Sequence, residues 1–195
     1  MNTAFPITDQ ELVKNYLAGN ESCFEMLVKR HKRKVFTTIY LIVNDRYIAE
    51  DIFQETFIKV VQKMKTDHYS EEGKFLPWTL RIARNLAIDF FRKTKRRPTI
   101  VHQDGEDSAI NYIVSTDENH EQFMMRTQSE RALRNLIHLL PEEQKEVLVL
   151  RHYSDLSFKD IAEVTHVSIN TALGRMRYAL SNLRKMMIES HINLQ

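Results

Sequence analysis

Glycine and proline are scarce in this chain of 195 residues, which has only four of each. Turns depend on these two residues, so their scarcity argues against an all-β fold, which needs many turns. Leucine, isoleucine, glutamate, lysine and arginine are plentiful instead, and most of them favour helix. The composition therefore predicts an all-α protein.

Cysteine is also scarce, and long apolar runs are missing. A single cysteine, Cys23, excludes an internal disulfide bond. No apolar run approaches the roughly 20 residues that cross a bilayer, and the first residues, MNTAFPITDQE, lack the order of a signal peptide. We therefore expect no membrane insertion and a cytoplasmic location, with Cys23 as a small buried apolar residue.

The usual sequence signatures of an enzyme are absent as well. The eight histidines are scattered without metal-ligand spacing, and there is no glycine-rich phosphate-binding loop. The lone cysteine lacks an activating setting. We expect no catalytic residues, no cofactor and no metal site.

Charge falls into three blocks although the net charge is only +2. Residues 1–97 carry 18 basic and 12 acidic side chains, residues 98–125 carry six acidic and no basic ones, and residues 126–195 carry 10 basic and 8 acidic ones. The middle block also has weak periodicity, which is typical of a flexible linker. The pattern predicts two helical domains, 1–97 and 126–195, joined by an acidic linker at 98–125.

Apolar residues recur at steps of three and four along four segments of the first domain. Thr8 and Glu11 have the spacing of a capping box at the start of the first segment. The third segment spans about 47–64, and the fourth runs from near Phe75 through the basic run RKTKRR to Pro98. These segments predict a four-helix bundle.

The segment SFKDIAEVTHVSINTALGRMR, from Ser157 to Arg177, predicts a helix-turn-helix. Ser157 and Ser168 can each cap a helix, so the second helix restarts without glycine or proline. That helix has no acid before Glu189, which suits a helix lying against phosphates. His166 stands where glycine is common, and an ordinary helical hairpin with a solvated basic face remains the alternative.

Four motifs in order resemble the extracytoplasmic-function sigma factors, the minimal two-domain sigma factors of bacteria. The first domain matches in LVKNYLAGNESCFEMLVKRHKRKVF, in AEDIFQETFIKV and in FLPWTLRIARNLAIDFFRKTKRR; the second matches in LPEEQKEVLVLRHYSDLSFKDIAEVTHVSINTALGRMRYALSNLRK. The resemblance implies that 1–97 is sigma domain 2, for core-polymerase binding and for recognition and melting of the −10 element. It implies that 126–195 is sigma domain 4, which reads the −35 element.

The resemblance also implies partners rather than a reaction. These are core RNA polymerase, through the clamp helices of its largest subunit and its flap, then promoter DNA and an anti-sigma factor. In AEDIFQE, Asp51 and Glu55 share one helical face, which suits docking on a basic partner helix. A magnesium site or a merely solvated face are the alternatives. The predicted core-polymerase-binding residues are Glu50, Asp51, Gln54 and Glu55.

Opening DNA needs a pocket for a flipped base and cations for the single strand. The resemblance assigns this task to the third and fourth helices and the loop between them. The predicted −10 and single-strand residues are Lys59, Lys63, Tyr69, Ile82, Asn85, Arg92, Lys93, Lys95 and Arg96.

The second helix of the helix-turn-helix is expected to read the −35 element. Arg177 and Tyr178 are expected to read bases, while Arg175, Arg184 and Lys185 hold phosphates. The predicted −35 residues are Ser168, Asn170, Thr171, Leu173, Gly174, Arg175, Arg177 and Tyr178.

A stand-alone helix-turn-helix regulator that binds duplex DNA as a dimer is the rival function. It explains Ser157 to Arg177, but it leaves AEDIFQETF, the basic run RKTKRR and the acidic linker without a role. Transcription assays with purified core polymerase separate the two functions.

Overall fold

The structure, a computed structural model, describes residues 7–66, 73–96 and 132–190, and within these ranges it contains eight helices and no strand. The helices are α1 (Asp9–Leu17), α2 (Glu21–Val43), α3 (Arg46–Lys65), α4 (Phe75–Arg96), α5 (132–138), α6 (Glu142–His152), α7 (Phe158–Thr165) and α8 (Ile169–Glu189). The all-α prediction is confirmed. The predicted linker at 98–125 lies outside the described residues.

Polar side chains at the helix ends set where the helices begin and end. The Thr8 hydroxyl accepts a hydrogen bond from the Glu11 amide at 3.3 Å, and the Glu11 carboxylate accepts one from the Thr8 amide at 2.9 Å, so the predicted capping box is present. Asn44 ends α2 with a positive φ of 55°, a conformation that asparagine tolerates. Asp45 then accepts from the Ile48 amide at 2.9 Å and starts α3.

Helices α1 to α4 form the N-terminal bundle around one apolar core. The core side chains lie on the faces that the three- and four-residue spacing predicts. Phe90 and Phe91 at the far end of α4 both pack against this core, as does Trp78 near its start. Its largest fully buried members are Leu12, Leu27, Ile39, Met64, Phe75 and Leu80.

A polar cluster around Asp9 ties α1 to α2. Arg30 Nη1 donates to Asp9 Oδ1 at 2.5 Å, and His31 Nε2 lies 2.7 Å from Asp9 Oδ2. Arg30 Nη2 also donates to the Ile7 carbonyl at 2.8 Å. Partial burial raises the pKa of Asp9, but the hydrogen bonds and charges of His31 and Arg30 lower it by more, so its pKa lies below the ordinary value.

We expect Asp9→Asn to lower the free energy of unfolding by about 1–2 kcal/mol at neutral pH, because it removes a charge-assisted contact from a partly buried site. Since folding lowers the pKa of Asp9, its stabilisation is complete above the ordinary value of 3.8 and is lost as the pH falls through the lowered one. Urea unfolding of both proteins at a series of pH values measures this. A difference that grows as the pH falls would contradict the assignment.

Helices α5 to α8 form the C-terminal half. Pro141 precedes α6, and Glu142 and Glu143 lie in its first turn, where acidic side chains interact favourably with the helix dipole. Helix α8 packs on both α6 and α7. The buried residues of this half form part of two apolar clusters, one of which contains Leu136, Ile137, Leu140, Leu148, Val149, Ala179 and Leu183.

The two halves pack directly against each other. Helix α6 contacts α2, and α7 contacts α4. Leu41 of α2 is fully buried, and it belongs to the apolar cluster of the C-terminal half rather than to that of its own bundle. The sequence predicts two domains but does not predict this contact.

Candidate functional site

The predicted core-binding residues lie along the outer side of α3. Asp51, Gln54 and Glu55 are exposed. Ile52 is buried, and Phe53 packs against the core. Glu55 pairs with Lys59 at 3.0 Å. Asp51 and Gln54 have no hydrogen-bond or ion-pair partner in the described part of the chain. Their polar groups are therefore available to a binding partner.

Glu50 lies at the edge of this face. It is half-buried and pairs with Arg46 at 2.9 Å, one helical turn earlier. Within the described ranges, no group of three histidine, cysteine or acidic residues is arranged to hold a metal ion.

Two apolar residues that the sequence analysis missed lie on the same side of α3. Tyr47 is 73% exposed and Ile58 is 56% exposed. Tyr47 precedes Asp51 by four residues and Ile58 follows Gln54 by four, so both share the face of the acidic residues. The spacing could have identified Tyr47 and Ile58 as exposed, because both fall out of phase with the buried positions of α3. We name Tyr47, Asp51, Gln54, Glu55 and Ile58 the α3 face.

The predicted single-strand residues are divided between α3 and α4. Lys63, Asn85, Arg92 and Lys93 are exposed, and Lys59 is half-buried beside Glu55. Ile82 departs from this prediction, because it is only 8% exposed and packs in the core. Tyr69 and the side chains of Lys95 and Arg96 lie outside the described residues.

Helices α7 and α8 and the turn between them form the predicted helix-turn-helix. His166 ends α7 with a φ of 57°, so a histidine occupies the left-handed position where glycine is common. The Ser168 hydroxyl accepts from the Thr171 amide at 3.0 Å and caps α8. Each of the two helices carries a small buried residue, Ala162 in α7 and Ala172 in α8.

The predicted DNA-reading residues project from α8 on the side away from this packing. Asn170, Thr171, Leu173, Arg177 and Tyr178 are exposed, and Gly174 and Arg175 are partly buried. Ser168 is exposed, but its hydroxyl is engaged as the helix cap. Leu180, which the spacing assigns to the buried side of the helix, is instead half-exposed.

Both halves match known families. Residues 27–97 match Sigma-70 region 2, and residues 130–183 match Sigma-70, region 4. The chain is 32% identical over 175 residues to the ECF RNA polymerase sigma-E factor of Haemophilus influenzae, covering 87% of this chain and 90% of that protein. It is 30% identical over 171 residues to the RNA polymerase sigma-H factor of Pseudomonas aeruginosa, covering 86% and 88%.

The chain belongs to the extracytoplasmic-function (ECF) sigma factors of RNA polymerase. It therefore directs promoter-specific initiation of transcription. Among solved structures, this sigma factor has the fold of CnrH in its complex with the cytosolic domain of CnrY, with a TM-score of 0.67 at 20% identity over 93% of this chain and 97% of that one. It is equally similar to the sigma factor RpoE of Bartonella quintana in complex with the anti-sigma factor NepR, with a TM-score of 0.67 at 18% identity over 84% and 96%.

These comparisons confirm the family and the fold of the sigma factor but not the role of any single residue. The α3 face lies within the match to region 2, and the exposed side of α8 lies within the match to region 4. None of the described helices is both long enough and apolar enough to cross a membrane.

Proposed function

We propose that the α3 face binds the clamp helices of the largest subunit of core RNA polymerase. The observation that carries this proposal is that Asp51 and Gln54 have no partner among the described residues, while Tyr47 and Ile58 beside them are exposed. Protein interfaces combine a central apolar or aromatic contact with polar groups around it. Two large exposed apolar side chains next to unpaired polar groups fit this pattern better than a merely solvated helix face does.

The −10 element is bound by cations and one amide from the surfaces of α3 and α4. Lys59, Lys63, Asn85, Arg92 and Lys93 are accessible enough to contact a separated strand. Ile82 leaves this set because it is buried. Tyr69, Lys95 and Arg96 stay in it on the sequence alone.

The −35 element is read in the major groove by α8. Arg177 makes no ion pair with any described residue, and Tyr178 is 64% exposed, so both are available to base edges. Asn170, Thr171 and Leu173 lie near the start of the helix, the part that contacts bases in helix-turn-helix proteins. Arg175, Arg184 and Lys185 contact phosphates.

Substitution of Gly174 by alanine tests how closely α8 approaches DNA. A Cβ atom at this position meets no atom within 4 Å, so Gly174→Ala fits the free protein. We expect it to raise the free energy of unfolding by about 1 kcal/mol through helix propensity. We also expect weaker binding to the −35 element, because the added methyl group meets the DNA backbone.

Chemical denaturation and promoter-DNA binding by the holoenzyme measure these two effects of Gly174→Ala. Binding to core polymerase is the control and stays unchanged. A variant that gains stability and keeps full promoter affinity would mean that the glycine is only tolerated.

The remaining parts of the proposal concern the cellular location, the binding partners and the absence of catalysis. The sigma factor acts in the cytoplasm, contacts the polymerase flap through its C-terminal half and has no catalytic activity of its own. An anti-sigma factor binds it, as in the solved complex of RpoE with the anti-sigma factor NepR from Bartonella quintana.

Run-off transcription with purified core polymerase tests the proposed function as a whole. We expect transcription from a cognate promoter only when the protein is added. Tight binding of the free protein to duplex DNA, with no association with core polymerase, would instead support the stand-alone regulator.

A further inference from the structure

Helix α8 exposes apolar side chains among the residues that are proposed to read the −35 element. Leu173 is 44% exposed, and Ile169, four residues earlier, is 47% exposed. Arg177 lies four residues after Leu173, so the three side chains share one edge of the helix. A single exposed leucine is common on protein surfaces, but this one stands between Asn170 and Arg177, which are expected to contact DNA.

Gly174 marks the side of α8 that can come closest to another molecule. Residues two positions apart point to opposite sides of a helix, and Ala172, two positions before Gly174, is fully buried. A Cβ atom at Gly174 would meet no atom within 4 Å, so packing inside the protein does not require glycine here. Glycine inside a helix lowers stability relative to alanine, and close approach of the backbone to a ligand is a reason to keep it.

Close approach decides which chemistry Leu173 can read. A leucine side chain is shorter than an arginine side chain, so its methyl groups reach the base edges only when the helix lies deep in the groove. Leucine also has no side-chain hydrogen-bond donor or acceptor, so it cannot read the donor and acceptor patterns that distinguish the bases. Among the groups that base edges present in the major groove, the C5-methyl group of thymine is the apolar one.

We propose that Leu173 reads a thymine in the −35 element by packing against its C5-methyl group. The inference rests on the proposed binding of α8 in the major groove, and it adds the base and the atom that are read. Residues four positions apart are separated by about 6 Å along a helix, and the rise of the duplex is about 3.4 Å per base pair. The thymine therefore lies within about two base pairs of the base that Arg177 contacts.

Selection from random DNA supplies the sequence on which the proposal is tested. Holoenzyme assembled from purified core polymerase and the wild-type protein is used to select binders from duplex promoter DNA whose −35 region is randomised. Arginine contacts guanine more often than any other base, so we expect a thymine to be enriched within about two base pairs of an enriched guanine. A selected pool with no preference in this region would refute −35 reading itself, and the role of Leu173 with it.

Deoxyuridine then tests the methyl group alone, because it pairs as thymidine does but lacks the C5-methyl group. At the enriched thymine, we expect this replacement to weaken binding of the wild-type holoenzyme about fourfold, since burying one methyl group contributes a free energy of that size. Holoenzyme with Leu173→Ala should bind the two DNAs equally. If the wild type is insensitive to deoxyuridine, or if Leu173→Ala keeps the fourfold difference, the inference fails while −35 reading stands.

Leu180→Ala is the matched control for this experiment. Leu180 is 50% exposed and lies on the same edge of α8, seven residues beyond Leu173. It is therefore further from the start of the helix, the part that contacts bases in helix-turn-helix proteins. We expect Leu180→Ala to keep the fourfold difference between thymidine and deoxyuridine. An equal loss in both variants would attribute the effect to the apolar edge as a whole and overturn the assignment to Leu173.

A changed preference gives a second test, which a variant that fails to fold cannot pass. The guanidinium group of Leu173→Arg can donate two hydrogen bonds to the edge of a guanine. We therefore expect selection with this variant to replace the T·A pair by a G·C pair, in either orientation, and to leave the neighbouring positions unchanged. Selection of the same thymine by the wild type and by Leu173→Arg would show that another residue reads this base.

Discussion

The double variant Asp51→Arg, Glu55→Arg is expected to bind core RNA polymerase about 100-fold more weakly, or worse, than the wild-type protein. The substitutions place two cations where the proposed partner helix is itself basic. Like charges facing each other across an interface cost several kcal/mol, so the loss comes from repulsion as well as from missing contacts. Transcription should fall in proportion to binding.

Folding should survive this change because both side chains are exposed. The only described contact that it breaks is the surface pair of Glu55 with Lys59, whose side chains are 53% and 41% exposed. Surface pairs of this kind contribute little to stability. Circular dichroism and urea unfolding check the fold, and a binding titration with labelled core polymerase measures the affinity.

Helix α2 offers a matched control for this experiment. Glu21 and Glu25 are also exposed acids four residues apart, and Glu25 pairs with Lys29 at 2.7 Å. The variant Glu21→Arg, Glu25→Arg therefore makes the same change of net charge and loses the same kind of ion pair. We expect it to bind polymerase nearly as well as wild type. Equal loss in both variants would attribute the effect to net charge and refute a specific α3 face.

The second large effect is expected for Arg177→Ala. A bidentate contact from arginine to a base contributes about 1–3 kcal/mol of discrimination, so promoter binding should weaken between about 5-fold and 100-fold. The loss should be largest on the cognate −35 sequence and small on a promoter whose −35 element is scrambled. Holoenzyme binding to both promoters measures the ratio.

Arg184→Ala is the control that separates base reading from phosphate contact. Arg184 is exposed two turns further along α8, and we expect it to contact the DNA backbone. Its loss should weaken binding to both promoters alike and lower the slope of affinity against salt by about 1. If Arg177→Ala behaves in the same way, Arg177 is a phosphate contact and base reading belongs to another residue.

The positions where the helices begin and end could be predicted from this sequence, because the interactions that set them join residues only a few positions apart. Helices begin after Thr8 and Ser168 and end at Asn44, and each of these caps acts through hydrogen bonds or a backbone conformation that spans only a few residues. His166 shows that even an unusual residue at a turn does not hide the pattern, since its neighbours specify both helices.

The placement of side chains is harder to predict where two signals disagree. Family resemblance assigns Ile82 to the DNA pocket, but Ile82 and Leu86 are four residues apart and both buried, so helical spacing is the better guide. For Leu180, helical spacing itself gave the wrong prediction. It has helical spacing from Met176, yet it lies at the margin of the buried side and is half-exposed.

The contact between the two halves could not be predicted from spacing. Leu41 lies off the three- and four-residue steps that join Val35, Ile39 and Ile42, so spacing does not say what covers it, and Thr38 has no apolar side chain to mark it as a contact. Only the fold shows that both are covered by the C-terminal half. Contacts between residues more than a hundred positions apart leave no periodic trace in either segment.

Separation of the two halves costs free energy because it exposes Leu41. When the halves part, its side chain enters water, and the pocket that held it is left unfilled. Exposing one leucine costs about 1.5–3 kcal/mol before the emptied pocket is considered. This one side chain therefore couples the stability of the N-terminal bundle to the presence of the C-terminal half.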